Sequence, residues 1–384
     1  MRTVSKTVIG VDFGTQSARA VLVNAENGEI IYSCRKEYHY NSTPVPAIDC
    51  AENLPCATDY EMTLYELLRN VIPEEYRKTV AGICIDATSL TMVLLAEDGR
   101  ALSELDGWSE AAHARVKLWK YHRAQEKADE ALNLASNLQE PFLGRTGGSI
   151  SCEWMLPKLL EVRDEAPEIY SKIDLAMDLC EFLTFRLTGQ LVRSIGSLSY
   201  KCLWAEDLSF PERTFLNGLR AGFYEEYCHF LRGDVRKPGE CAGMLRSELT
   251  KRWGLPEQIP VATGMLDGHT SLATMGAFEP GDAALIVGTS NVCTVQDRKL
   301  QELKDVCGVA QDGMVTGSCG IDTGQSSTGN MLGWFVEHMA GWQIHREAEE
   351  RKISPHQVLA ERIQKPWENK VIAVDWWSGS RNAP

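Results

Sequence analysis

Two aspartates end apolar, strand-like runs and stand close to glycines. They are Asp12 in Val8-Ile-Gly-Val-Asp-Phe-Gly-Thr-Gln-Ser17, and Asp267 in Val261-Ala-Thr-Gly-Met-Leu-Asp-Gly-His269. In the first, a tight turn through Gly14, Thr15, Gln16 and Ser17 aims backbone N–H groups and hydroxyls into one concavity, which suits phosphate oxygens. A carboxylate there would repel bare phosphate, so Asp12 makes sense as a Mg²⁺ ligand, direct or through water. The bland alternative is an ordinary hairpin turn. Neither a Walker A loop nor a G-x-G-x-x-G turn after a strand is present. Gly288-Thr289-Ser290 offers a second set of donors that could clamp a polyphosphate from the other side.

Asp267 can be read in two ways. A carboxylate at a strand end beside glycine can accept the proton of a substrate hydroxyl, and aspartate is also a frequent helix N-cap. Both readings stand on the residues alone, and His269 reads as a supporting residue rather than a nucleophile. The run Gly317-Ser-Cys-Gly-Ile-Asp-Thr-Gly-Gln325 is dense in polar groups that could fix a polyol, Asp322 and Gln325 among them, or it is a loop. Met331, Trp334, Phe335, His338 and Met339 follow at helical spacing and read as core.

The elements needed to position these residues are legible. Val8–Asp12, Ala18–Val23 and Glu29–Tyr38 read as three strands of an antiparallel meander, with Asn27-Gly28 as a hairpin turn. Leu64, Leu67, Leu68 and Val71 mark one face of a helix. Strands are expected at Val80–Ile85 and Met92–Leu95, and helices over 113–137, Glu153–Tyr170 and Asp178–Leu187, the last stopped by Gly189. Residues 230–260 read as a surface insertion or a domain edge. A strand at Ala283–Val287, the Gly-Thr turn and a return strand to Gln296 then repeat the pattern of residues 8–23. That repeat suggests a duplicated α/β fold with a ligand between its halves. Lys370–Trp377 reads as one more buried strand.

With 384 residues, two or three domains are expected. A net charge of −14 without a basic stripe argues against a nucleic-acid partner. No apolar run reaches membrane-span length, and the N-terminus lacks the apolar stretch of a signal peptide. Twelve scattered cysteines without a C-x-x-C pair fit reduced thiols, so the cytoplasm is the expected compartment.

Taken together, the motifs resemble the FGGY carbohydrate kinases, and within them the ribulokinase branch. Val8–Arg19 looks like the first phosphate motif of that family. Val116-Lys-Leu-Trp-Lys120, Ser151-Cys-Glu-Trp-Met155, Tyr200-Lys-Cys-Leu-Trp204, Gly324-Gln-Ser326 with Trp334-Phe335, and Asp375-Trp-Trp-Ser-Gly-Ser-Arg381 resemble segments of the branch. The resemblance implies an actin-like ATPase (ribonuclease H-like) duplicated fold, with sugar and ATP in a cleft between two domains. These would be 1–277 and 278–384, the second incomplete and lacking the adenosine motif.

By the same resemblance Asp12, Gly14, Thr15, Gln16 and Arg19 would meet ATP phosphates and Mg²⁺. Gly288, Thr289 and Ser290 would form the second phosphate loop. Asp267 would be the general base, and Ser89, Lys201, Asp267 and Asp322 would contact sugar hydroxyls. Homodimerisation is a further expectation of the family. Three positions depart from the pattern: Asp322 stands where glutamate is usual, Asn330 where aspartate is, and Ser89 where a small apolar residue is. The expected activity is ATP-dependent phosphorylation of L-ribulose. The alternatives are another ketopentose or polyol, a truncated non-catalytic fragment, or an ATPase of the actin or chaperone type.

Overall fold

The computed structural model describes residues 5–38, 54–288, 291–325 and 328–363. The expected strand Lys370–Trp377 and the Asp375–Arg381 segment lie outside them, as do Thr289, Ser290 and Ser326.

The chain opens as the sequence predicts. β1 (Thr7–Phe13), β2 (Ser17–Asn24) and β3 (Ile30–Glu37) form an antiparallel meander. β1 alternates strictly, sending Ile9, Val11 and Phe13 into the core. α1 (Ala57–Val71) lays Leu64, Leu67, Leu68 and Val71 on that core. β4 (Val80–Ala87) then pairs parallel with β1, two residues longer than the sequence pattern indicated, and β5 (Met92–Leu95) follows.

The helical reading of 113–137 needs correction. Only α2 (Gln125–Leu138) is an α-helix; Ala112–Ala114 is a single 3₁₀ turn. Between them Lys117 exchanges both backbone hydrogen bonds with Met92, and its buried ammonium sits 3.0 Å from Glu161. Those contacts hold the segment extended and override its helical spacing. The 153–170 helix is likewise broken. α3 (Met155–Glu165) ends at Ala166, and Pro167, which has no N–H to continue the ladder, starts α4 (Pro167–Tyr170).

β6 (Leu175–Asp178) pairs with β5 and leads into α5 (Leu179–Thr188), started by a capping box of Asp178 and Glu181 and ended by Gly189 at φ 71°. β7 (Val192–Ser194), α6 (Ile195–Lys201), α7 (Arg213–Leu219), α8 (Phe223–Phe230) and β8 (Asp234–Arg236) follow. The 230–260 stretch contributes an edge strand to the main sheet and a helix packed on its core. β9 (Cys241–Met244) borders the main sheet, and α9 (Ser247–Trp253) buries Leu249 and Trp253 in its core. β10 (Pro260–Ala262) and β11 (Met265–Leu266) pair parallel with β4, giving the order β3-β2-β1-β4-β10-β9, and α10 (Asp267–Met275) leaves β11 directly.

A second, wholly antiparallel sheet begins like the first with a strand hairpin. β12 (Ala283–Val287) and β13 (Asn291–Asp297) form the hairpin, and β15 (Cys319–Gln325) and β14 (Gly308–Gln311) complete the order β12-β13-β15-β14. α11 (Gly329–Met339), α12 (Trp342–Arg351) and α13 (Pro355–Arg362) close the described chain. Leu332, Trp334, Phe335 and Met339 on α11 are 40–60% exposed, so that helix is not the core segment its spacing implied.

Tyr200 joins the two sheets. Its ring from α6 is buried, its hydroxyl donates to the Gly320 carbonyl at 2.7 Å, and Gly308, Gly313 and Gly320 line its slot. A Cβ at any of the three would lie 2.5–2.6 Å from the tyrosine. Those glycines are needed for close approach.

Candidate active site

Parallel pairing of β4 with β1 and β11 brings three strand ends together. Asp12 pairs in register with Asp86, Asp86 pairs with Met265, and Asp267 follows one residue after β11. Three carboxylates therefore share one end of the sheet. Asp86 was not anticipated from the sequence, although it too ends an apolar strand. Burial, then the Asp12 charge, then a hydrogen bond with Asp12, push its carboxyl well above the usual range. Asp86 is therefore the protonated donor and Asp12 the acceptor of that pair.

Asp12 is the open member of the group, with 40% of its side chain exposed, and Arg19 across the hairpin lies 3.9 Å away. The turn beside it is fixed on several sides. Gly14 N–H donates to the Ser17 carbonyl at 3.2 Å, and the Tyr38 hydroxyl donates to the Gly14 carbonyl at 2.8 Å. Trp119 Nε1 donates to Thr15 Oγ1 at 3.1 Å. Ser17 is buried, and its hydroxyl oxygen accepts from Arg35 Nε at 3.0 Å. Gln16 completes the turn.

Asp267 is the first residue of α10 and not its N-cap, which is Leu266, so the capping reading does not hold. Its Oδ1 accepts from the Gly268 N–H at 2.7 Å and it also takes a bond from the Ser89 N–H. Burial raises its carboxyl to about 6, partly opposed by those two N–H groups, while the Asp12 charge adds to the rise. Ser89 Oγ beside it is buried with no hydrogen-bond partner among the described residues.

Opposite, Asp322 on β15 is 6% exposed, with Lys201 Nζ at 3.4 Å and His269 Nε2 at 3.7 Å. Burial pushes the Asp322 carboxyl up, but Lys201 and then His269 outweigh it and hold the group at about 2. His269 is buried under the edge of Tyr200, a supporting position. Gln325 ends β15 opposite Asn291, at the end of the sheet where Gly288 accepts from the Gly329 N–H. Asn291 Oδ1, Thr294 Oγ1 and Thr328 Oγ1 are buried around this sheet without partners among the described residues. Native buried polar atoms nearly always have a partner, but Thr294 is wholly buried and other orphans (Thr63, Ser103, Glu140, Arg193) lie elsewhere, so these atoms do not by themselves mark a ligand site.

The donor set fits Mg²⁺ with a polyphosphate. No three-ligand His, Cys, Asp or Glu cluster for a metal exists among the described residues. Mg²⁺ typically takes one or two carboxylates and fills its shell with phosphate oxygens and waters. Asp12 would be that carboxylate, and the Gly14–Ser17 turn lies beside it. Among the described residues, no helix is long and apolar enough to cross a membrane.

The N-terminal domain of the FGGY family of carbohydrate kinases matches residues 7–274. The ribulokinase of Halalkalibacterium halodurans is 32% identical over 98% of this chain and 69% of its own length. The ribulokinase of Mycolicibacterium smegmatis is 35% identical over 98% and 69%. Among solved structures, xylulose kinase from Rhodospirillum rubrum superposes with a TM-score of 0.75 at 19% identity, covering 98% of this chain and 71% of that one. Gluconate kinase from Lactobacillus acidophilus gives 0.74 at 19%, covering 98% and 70%. The fold is thus the α/β, actin-like ATPase fold of these kinases.

Proposed function

This chain belongs to the FGGY family of carbohydrate kinases, which phosphorylate sugars with ATP, and we propose that its substrate is L-ribulose and its general base Asp267. The observation that carries the base assignment is the seat of Asp267. Its carboxylate is anchored by the N–H groups of Gly268 and Ser89, half-buried and raised by desolvation to about 6, and next to an orphaned serine hydroxyl. A base of that strength is ionised at neutral pH and still basic enough to take a proton in the transition state.

In the proposed reaction the terminal sugar hydroxyl gives its proton to Asp267 as its oxygen bonds to the γ-phosphorus of ATP. The bond from that phosphorus to the β-γ bridging oxygen breaks, and ADP leaves. Asp12 would hold Mg²⁺, which when bound neutralises charge on the transferred group. Backbone N–H groups of the turn after Gly14, whose own N–H is given to Ser17, would receive phosphate oxygens with Arg19 at the rim, and Gly288, Thr289 and Ser290 the opposite side. Ser89, Lys201, Asp322 and Gln325 would hold sugar hydroxyls, and the Ser89 hydroxyl would gain the partner it lacks. The sugar itself is supported by the ribulokinases that this chain resembles along nearly its whole length. The scattered cysteines support a reducing compartment, the cytoplasm.

The test is ADP release with Mg·ATP and a panel of ketopentoses and polyols. L-Ribulose should give the highest kcat/KM. A higher value with D-xylulose or a polyol would reject the sugar assignment, and ADP release that no sugar stimulates would reject the kinase mechanism.

A further inference from the structure

Lys158 lies in the middle of α3 with none of its surface exposed. Its ammonium donates to the carbonyls of Leu90 and Leu118, each at 2.9 Å, and to that of Lys117 at 3.4 Å. Three N–H bonds meet three backbone oxygens. Burial pulls the group down to about 7, with Glu153 and Asp178 pulling the other way.

What matters is where the three carbonyls belong. Leu90 sits in the loop that follows β4, at a left-handed φ of 46° that a branched, buried residue rarely adopts. The loop is gripped at both ends of that residue: Leu90 N–H donates to Asp178 Oδ2 at 3.1 Å, and its carbonyl accepts from Lys158. One residue earlier the Ser89 N–H holds Asp267, and Thr88 N–H donates to the Phe13 carbonyl at 2.9 Å, just before the phosphate turn. Leu118 precedes Trp119, whose indole holds Thr15 in that turn. α3 grips this second loop twice, because Glu161 also pairs with the Lys117 ammonium.

We propose that Lys158 is a positioning residue of the phosphoryl transfer, fixing the loop that holds the base and the loop that holds the phosphate turn to one point. It touches no substrate. It acts through Ser89 on Asp267 and through Trp119 on Thr15, so its loss misplaces two halves of the site relative to each other. The inference rests on the proposed function for its kinetic consequence, but the mechanical part is independent of it.

The test compares wild type with Lys158→Met, which keeps the stem and removes the donors, and with Val162→Ala, a core truncation on the same helix. A 1 Å misplacement is worth about 10²-fold in rate, so Lys158→Met should lose about that factor in kcat/KM. Val162→Ala should lower Tm and leave kcat/KM within about threefold, well short of that loss. Trp119→Phe should cost activity in wild type and little more in the Lys158→Met background, because the second contact is already lost. An active Lys158→Met enzyme, independent multiplication of the two effects, or an equal loss in Val162→Ala would overturn the proposal.

Hydrogen exchange supplies the arm that does not need turnover. Peptides covering 88–91 and 117–119 should exchange faster in Lys158→Met, and the rest of the main sheet should not. Unchanged protection would reject the clamp even if wild type proves inactive on every sugar, which by itself would reject only the functional reading. If Lys158→Met does not fold, Lys158→Gln, whose amide reaches fewer of the three carbonyls, replaces it in both measurements.

Discussion

Asp12 and Asp86 face each other in register on the parallel strands β1 and β4, one carboxyl hydrogen-bonded to the other. Two carboxylates this close, with Asp267 nearby, do not all ionise at neutral pH. Asp86, the more desolvated member, is the one whose carboxyl is raised, and its hydrogen bond orients Asp12. Replacing Asp86 by Asn preserves a donor to Asp12, so the KM for Mg·ATP should change by less than about tenfold. Asp86→Ala leaves Asp12 without that donor, and such a loss costs about 1–3 kcal/mol, a 5- to 150-fold rise in that KM. Steady-state kinetics on the two variants checks this; equal effects would show that the hydrogen bond is not what orients Asp12.

The Lys201–Asp322 pair is buried, with side chains 12% and 9% exposed. Lys201→Met leaves the carboxylate with only His269 and should cost about 3–5 kcal/mol, read as a lower urea midpoint, together with a raised sugar KM. The pH dependence has a definite sign. The folded pKa of Asp322 is depressed to about 2, so its stabilisation is complete above the unfolded value and is lost as pH falls through the folded one. The gap between wild type and Lys201→Met should therefore narrow below about pH 4. A gap that stays constant down to pH 2 would contradict the assignment.

Gly320→Ala would place a methyl 2.5 Å from the Tyr200 hydroxyl and 2.8 Å from the Met314 sulfur. Overpacking of this kind costs about 1–3 kcal/mol. Tyr200→Phe should recover much of the loss in Gly320→Ala by removing the hydroxyl, and none in Gly308→Ala, where the ring itself is struck at 2.6 Å. Urea unfolding of the single and double variants measures the coupling directly.

Much of this site could be read locally, because its chemistry sits at strand ends. Asp12 and Asp267 each close an apolar run beside glycine, and their hairpin and helix are local structures. Asp86 carried the same signature at the end of Val80–Ile85, yet its meaning came only from the parallel register that sets it beside Asp12. Lys158 was invisible for the same reason, and Trp119 stood in a recognised segment without its contact being legible: each acts on a partner 40 to 104 residues away. Residues 113–124 misled because helical spacing cannot report the Lys117–Glu161 pair and the Met92 bridge that hold the chain extended. The second strand hairpin, by contrast, was legible and returned as β12 and β13, although the order of the sheet around it differs from that of the first.

Desolvation raises the half-buried Asp267 carboxyl to about 6, so sugar-dependent kcat/KM should rise with pH through an inflection near 6 and level off toward 7.5. An inflection near 4, the value of an exposed aspartate, would show that the burial is not retained in solution.

The measurement that bears most directly on the mechanism is ADP release by Asp267→Asn with L-ribulose and Mg·ATP, beside wild type and with folding verified by circular dichroism. Asparagine keeps the shape and cannot take the proton, so kcat should fall by about 10²–10⁴-fold while Mg·ATP still binds. Turnover within tenfold of wild type would contradict the account, because the proton of the sugar hydroxyl would then have another acceptor.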